Sequence, residues 1–194
     1  MCGRFHVNIS IENEIRALLG ANAPGALLPV SGDIRPSERA LILLDENHEI
    51  MAETMVWGFP QYTGKGLLIN ARAETAAEKT MFRNSLLQRR CAIPASWFYE
   101  WNPRKEKVTF KREDHAAMYM AGIYQRYEDG NHFVILTTDA NASMRPVHDR
   151  MPVILGKEEL EAWMEDEGYM RYVLKRVPVE LWREQEYEQR SLFD

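Results

Sequence analysis

Cysteine at position 2, in Met1-Cys2-Gly3-Arg4-Phe5, becomes the amino terminus once the initiator methionine is lost. A terminal cysteine carries an α-amine and a thiol on adjacent carbons. The amine condenses with an aldehyde to an imine, and the thiol then closes a five-membered thiazolidine, which an internal cysteine cannot do. The ordinary pKa values, about 7.7–8.0 for the amine and about 8.5 for the thiol, leave both nucleophiles partly available near neutrality. Loss of Met1 is expected, because the cysteine side chain is small. A cysteine on a floppy terminus would be incidental, so the weight falls on what else the chain carries.

Three further short stretches are rich in reactive side chains: Ile69-Asn70-Ala71-Arg72-Ala73-Glu74-Thr75, Trp97-Phe98-Tyr99-Glu100-Trp101 and Val147-His148-Asp149-Arg150-Met151-Pro152. Histidine donates and accepts protons near neutrality, which suits His148 to general acid–base work. Glu100 lies in an aromatic run, where a carboxylate is placed to take a proton from the Cys2 ammonium and later return it. Asn70 does not titrate, but its amide can orient an amine or a hydroxyl. Each also has a structural reading. His148 can pair with Asp149, Glu100 can face outward on an alternating strand, and Asn70 can cap a helix or turn.

The four motifs, in this order and with Trp57-Gly58-Phe59-Pro60 between them, resemble the SRAP (SOS response-associated peptidase) family from Cys2 to about residue 180. The resemblance implies covalent capture of abasic sites in single-stranded DNA by the terminal cysteine, in a protein of the DNA-damage response. Cys2, Asn70, Glu100 and His148 then form the catalytic set. His148 supplies the acid that opens the closed sugar and dehydrates the carbinolamine, and the glutamate is implicated in reversal. Arg4, Arg72 and Arg150 match positions that hold the DNA backbone, as forked guanidinium groups can; the alternative is that they pair with Glu74, Asp149 and other acids. Pro36 matches a family proline, although Asp33-Ile34-Arg35 replaces the usual residues before it. Trp57 and Tyr62 complete the implied DNA contacts; Tyr62 stands in Gln61-Tyr62-Thr63-Gly64, where the family often has a tryptophan wedge. Some strand cleavage by β-elimination and self-removal of Met1 are implied, the latter accounting for the peptidase label. No cofactor and no metal are expected.

Composition sets bounds on this reading. The 194 residues, 45% hydrophobic and 27% charged, suit one globular domain with a real core. Two cysteines without a CxxC pattern argue against a disulfide framework or structural zinc and fit a reducing cytoplasm, near replicating DNA on the resemblance. No apolar run reaches membrane-spanning length. The net charge of −5 is concentrated in residues 158–194, which hold 11 acidic against 5 basic residues.

The elements that must position these motifs read as an α+β fold dominated by antiparallel strands in barrel-like sheets, with a few flanking helices. Strands are expected at Ala40–Leu44, Glu49–Phe59, Arg90–Ile93, Ser96–Trp101, Lys107–Lys111, Ala117–Tyr124 and His132–Thr138, with Asp129-Gly130-Asn131 as a hairpin turn. A helix N-capped by Ser10 buries Ile11, Ile15, Leu18 and Leu19 and stops at Gly20. Further helical stretches fit 73–88 and 157–167, and residues 20–36 read as a loop. Cys91 reads as core.

Residues 1–182 are expected to form the domain and 183–194 an acidic tail. The tail ends Gln189-Arg190-Ser191-Leu192-Phe193-Asp194, and Gln189, Ser191, Leu192 and Phe193 resemble the short peptide by which bacterial repair proteins dock on the β sliding clamp. Two rivals stand beside the main reading. One is an amidotransferase with an N-terminal nucleophile, which shares Met-Cys-Gly but normally continues with isoleucine. The other is an adaptor that binds single-stranded DNA and the clamp without bonding covalently to either.

Overall fold

In the computed structural model, which describes residues 2–20, 23, 31–61 and 64–185, alternation of apolar and polar residues builds two main sheets. Along the chain come β1 (Phe5–Val7), α1 (Ile9–Leu19), β2 (Gly32–Ile34), β3 (Arg39–Glu46), β4 (Glu49–Trp57), β5 (Phe59–Pro60), β6 (Leu67–Leu68) and β7 (Asn70–Arg72). Then follow α2 (Ala73–Ala76), α3 (Thr80–Gln88), β8 (Arg90–Ala95), β9 (Trp97–Trp101), β10 (Lys107–Lys111), β11 (Met118–Tyr127) and β12 (Gly130–Asp139). Last are β13 (Arg150–Pro152), β14 (Ile154–Leu155), α4 (Leu160–Glu165), α5 (Glu167–Val173) and β15 (Trp182–Gln185).

Strands β12, β4, β3, β8 and β11 pair in turn, and β11 pairs back to β12, closing a ring. Only the β12 pairings to β4 and β7 are parallel within it and at its edge. The interior is tight: a Cβ on Gly122 would lie 2.4 Å from Ile93 Cδ1 and 3.0 Å from the Val134 carbonyl, so a larger residue would have to displace the Ile93 side chain and press on the β12 backbone. The second sheet runs β15-β10-β9-β1-β2. Its inner face, with Phe5, Phe98, Val108 and Phe110, is fully buried. Its outer face carries His6, Trp97, Tyr99, Thr109 and Lys111. Among the described residues, no helix is long and apolar enough to cross a membrane.

A charged residue inside this core needs acceptors. Arg90 finds them at two helix ends, donating to the Trp163 carbonyl at 2.6 Å and to those of Leu86 and Leu87 at 3.0 and 2.9 Å. That arrangement caps the last turns of α3 and α4 with one cation.

Several local expectations shift. Asn8, not Ser10, caps α1, its side chain accepting from the Ile11 N–H at 3.2 Å, while Gly20 does end the helix. The 73–88 stretch is two helices, α2 and α3, and the 157–167 stretch is a 3-10 turn (Lys157–Glu159) followed by α4, with α5 beyond it. The hairpin turn is centred one residue earlier than expected, since Tyr127 pairs with Gly130. Within the expected tail, Arg183–Gln185 are part of β15 and pair with Val108–Phe110. The ordered sheet therefore runs past position 182.

Candidate active site at the amino terminus

β1 places Cys2 just before its first residue and hydrogen-bonds to β9 through the Phe5–Phe98 and His6–Trp97 pairs. The Tyr99 N–H continues this ladder to the Arg4 carbonyl at 3.0 Å. Cys2 is 1% exposed, and its thiol donates to the Arg4 carbonyl at 3.8 Å. Burial, and next the negative charge of Glu100, push the Cys2 thiol far above its ordinary range. At neutral pH the sulfur therefore keeps its proton until a base takes it.

Glu100 is on the inner face of β9 with Phe98, 4% exposed. The alternation that turns Trp97, Tyr99 and Trp101 outward turns this carboxyl in, toward Cys2, and the outward-facing alternative is excluded. Asn70 opens β7, which lies parallel to β12 with Asn70 opposite Ile135. Its Nδ2 donates to the Cys2 carbonyl at 3.2 Å. Its Oδ1 is buried and has no hydrogen-bond partner among the described residues. A buried acceptor left open costs about 1–3 kcal/mol, and such a group calls for an explanation in terms of function.

His148 ends a helical turn, its N–H bonded to the Met144 carbonyl at 3.1 Å, and leads into β13. The Arg150 N–H donates to His148 Nδ1 at 2.9 Å, and Asp149 Oδ1 is 2.9 Å from the same nitrogen. One nitrogen serves both only in different states. With Nδ1 unprotonated the ring accepts from the Arg150 N–H, whereas a proton on Nδ1, in the other neutral tautomer or the imidazolium, is donated to Asp149. Each protonation state thus has a partner in place.

Arg150 is 8% exposed and bound by protein acceptors. Its guanidinium forks onto Glu74 at 2.9 and 2.7 Å, reaches the Thr137 carbonyl at 2.7 Å and pairs with Asp139. Here the pairing with Glu74 is what the structure contains. It ties α2 to β13 across β12 and so fixes His148 relative to the β7 strand that bears Asn70. Arg72 differs: it is exposed and makes no ion pair among the described residues. Arg4 is half-buried on the outer face, its guanidinium 5.2 Å from the Trp101 ring centre and 3.8 Å from Asp33. Pro36 is half-buried in the turn after β2.

Trp57 is not at the surface. It is fully buried, bonded through Nε1–H to the Ile69 carbonyl at 2.9 Å, and packed on Phe5 and Phe133 with ring centres 5.2 and 6.1 Å away. Its place at the end of β4, inward by alternation, sets this, so the side chain is part of the core rather than of the exposed surface. Tyr62 and the tail residues Gln189, Ser191, Leu192 and Phe193 lie outside the described residues.

His6, Asp33 and Tyr99 carry no role in the motif reading, yet they form a cluster at the edge of the site. His6 Nδ1 is 2.8 Å from Asp33 Oδ1, and the Tyr99 hydroxyl donates to the same oxygen at 3.1 Å. Burial works against the Asp33 charge, but these bonds and the nearby Arg4 outweigh it and hold the carboxyl below its usual range. The signal available was alternation, which puts His6 on the same face of β1 as Arg4.

With this geometry, residues 1–188 match the family model described as SOS response associated peptidase (SRAP). The chain belongs to the SRAP family. It is 31% identical over 179 residues to abasic site processing protein YoaM of Bacillus subtilis, covering 84% of this chain and 79% of that protein. To abasic site processing protein YedK of Escherichia coli it is 28% identical over 179 residues, 86% and 81% of the two chains. A crystal structure of a protein from Bordetella bronchiseptica has the same fold, with a TM-score of 0.78 at 26% identity, covering 96% of this chain and all of that one. The family's α+β architecture of antiparallel sheets is the one built here.

Proposed function

We propose that this protein captures abasic sites in single-stranded DNA as a thiazolidine on Cys2, after Met1 has been removed by the protein itself or by an aminopeptidase. The observation that carries the reading is Asn70, whose amide holds the Cys2 carbonyl with its nitrogen while its buried oxygen is open toward a new donor. The α-amine of Cys2, or a hydroxyl of the opened sugar, is such a donor. The relatives named as abasic site processing proteins support the same substrate.

The chemistry follows from these positions. The His148 imidazolium gives its Nε2 proton to the sugar ring oxygen while the anomeric hydroxyl loses its proton to water, and the hemiacetal opens to the C1′ aldehyde. The Cys2 amine adds to C1′, and the carbinolamine leaves its hydroxyl as water when an acid supplies the proton, giving an iminium. The thiol then adds to the same carbon, its proton passing to the Glu100 carboxylate, and the five-membered ring closes. One aldehyde, one amine and one thiol thus give one thiazolidine and one water. Burial keeps sulfur protonated beforehand, so imine formation precedes ring closure. Glu100 returning its proton to sulfur runs the last step backward, and an imine that loses a C2′ proton before closure gives β-elimination.

Arg4, Arg72 and Pro36, with Tyr62 as the wedge, contact the strand in this reading, and Arg150 acts as a positioning residue through Glu74 and His148. The terminal Gln189, Ser191, Leu192 and Phe193 dock on the β sliding clamp, and pull-down with purified clamp is expected to fail when residues 189–194 are deleted. Denaturing gels of boiled mixtures with an oligonucleotide bearing one abasic site test the main reading. A shifted band absent with Cys2→Ala is expected. No band from protein shown by intact mass to lack Met1 refutes covalent capture.

A further inference from the structure

Away from Cys2, on the outer face of the second sheet, β9 and β10 border a cleft of about 300 Å³. Trp97 forms one wall, and Tyr99 and Thr109 line the floor. Lys107, whose Nζ is 5.3 Å from the centre of the Tyr99 ring, Lys111 and His115 also line it. Trp97 is held in place by a chain of contacts that begins at the Arg4 edge. The Tyr99 hydroxyl bonds Asp33, Asp33 bonds His6, and the His6 ring stacks on the indole with centres 4.1 Å apart and planes 2° from parallel. One indole face is thus covered and fixed, and Trp97 also lines the cleft. A rigid aromatic face beside cations is the arrangement that takes an unpaired base and its phosphate.

Among the described residues the one acid on the rim is Glu184, paired with Lys111 at 2.8 Å and itself 60% exposed. Such a pair is weak in water and can be exchanged for a phosphate. The cleft and the catalytic site share strand β9. Along β9, Trp97 is four residues from Trp101, which sits under Arg4 beside Cys2. At about 3.4 Å per residue this is about 13 Å, the span of roughly four stacked nucleotides and fewer of a stretched strand.

We infer that this cleft binds one nucleotide of the single-stranded DNA flanking the lesion, its base stacked on the open face of Trp97 and its phosphate held by Lys107 and Lys111. The inference rests on the proposed function for its choice of ligand. It makes the protein read the length of unpaired strand on one side of the lesion, since a stacked strand ending within two nucleotides of Cys2 does not reach Trp97.

The test uses the full chain and an oligonucleotide with a tetrahydrofuran abasic analogue, which has no aldehyde and cannot crosslink. Fluorescence anisotropy compares a strand with ten nucleotides on each side against strands trimmed to two on either side. The wild type is expected to bind the long strand about tenfold more tightly than one of the two trimmed strands, the scale of one base stacked on an aromatic ring. Trp97→Ala is expected to abolish that preference, and Trp97→Phe to retain most of it, which separates lost stacking from lost folding. Lys107→Ala with Lys111→Ala should lower the slope of log affinity against log salt by about 0.7 for each phosphate no longer neutralised. Equal binding of long and trimmed strands by the wild type, or a preference that survives Trp97→Ala, overturns the inference. Crosslinking of the natural abasic strand, read separately, reports on covalent capture: a Trp97-dependent preference without any adduct would refute capture and leave the cleft standing.

Discussion

Replacing Asn70 with leucine should leave the protein about as stable while disabling it. Leucine keeps the branch at Cγ and removes both polar atoms. Removing the buried, unpartnered Oδ1 relieves about 1–3 kcal/mol, but the Cys2 carbonyl loses its 3.2 Å donor and takes on a penalty of the same order. The lost hydrogen bond itself is worth about 0.5–1.5 kcal/mol, and two half-buried methyl groups return an amount of that size at about 0.8 kcal/mol per buried carbon. The net change is within about 1 kcal/mol, a shift of at most about 4 °C in melting temperature for a chain of this size. Reactivity should fall far more. Losing one donor and one acceptor that orient the Cys2 amine and the sugar raises the barrier by about 1.5–3 kcal/mol, or about 10- to 100-fold in rate. Thermal unfolding and single-turnover crosslinking to an abasic oligonucleotide give the two readouts. A crosslinking rate within threefold of wild type refutes the role given to Asn70. A loss of more than about 3 kcal/mol of stability would instead make its amide a structural bond, with no open acceptor held for the substrate.

The two arginines of the adjoining motifs should separate cleanly. Arg150→Met, which strips the buried Thr137 carbonyl of a donor, is expected to cost about 1–3 kcal/mol and to slow crosslinking without changing the salt dependence of DNA binding. Arg72→Ala should leave stability near wild type and reduce the salt slope by about 0.7, the value of one phosphate on a single strand; an unchanged slope would remove Arg72 from the DNA-binding surface. The Glu159 carboxyl, against which burial works, is nonetheless held down from 4.5 to about 2 by Arg176, the Gly156 N–H and Tyr169. Because the unfolded state binds the proton first, this group's contribution is whole above pH 4.5 and is lost as pH falls toward 2. Arg176→Met should therefore flatten acid unfolding in that window, removing about 1–3 kcal/mol of pH-dependent stability after allowing for solvent screening. The Cys91 thiol, fully buried, is pushed far up by burial alone. Above about pH 8.5 the unfolded thiol ionises and the folded one does not, so stability falls by about 1.36 kcal/mol per pH unit. Urea unfolding of Cys91→Val should lack about 2 kcal/mol of the loss seen between about pH 8.5 and 10, and an unchanged alkaline slope refutes that assignment.

Long strands were legible in the sequence because each carries enough alternation to define a face. β10 begins and ends as read, at Lys107 and Lys111, and β3, β4, β8, β11 and β12 lie within a few residues of expectation. Strands as short as β1, β7 and β13 carry no measurable period, yet these are the ones that place Cys2, Asn70 and His148. They exist because longer neighbours offer an unpaired edge: β7 and β13 both pair with β12, at Thr137 through Arg72 and Pro152. The catalytic motifs were therefore visible as residue types before the geometry that joins them was. Trp57 shows the opposite failure. A tryptophan next to a glycine reads equally well as an exposed DNA contact or a core anchor, and only its burial against Phe5 and Phe133 shows the latter.

Buried polar atoms without a partner occur at several places among the described residues, Asn131 Oδ1 among them, and one of them, Asn70 Oδ1, is beside Cys2. There a protonated thiol lies beside a buried acidic side chain, an amide oxygen has no donor, and one histidine nitrogen faces two partners. Elsewhere the same fold satisfies such groups, as when Arg90 meets three carbonyls. The open acceptor of Asn70 suits a reactive site, since such a group gains its partner when a substrate arrives. Folding strength for this is supplied by the remote pairs, Arg150 with Glu74 and Arg176 with Glu159, which bind helices to strands and so hold the strained residues in place. Variants that weaken the remote pairs should accordingly lose stability and rate together, whereas those that relieve the strain at Asn70 should lose rate alone.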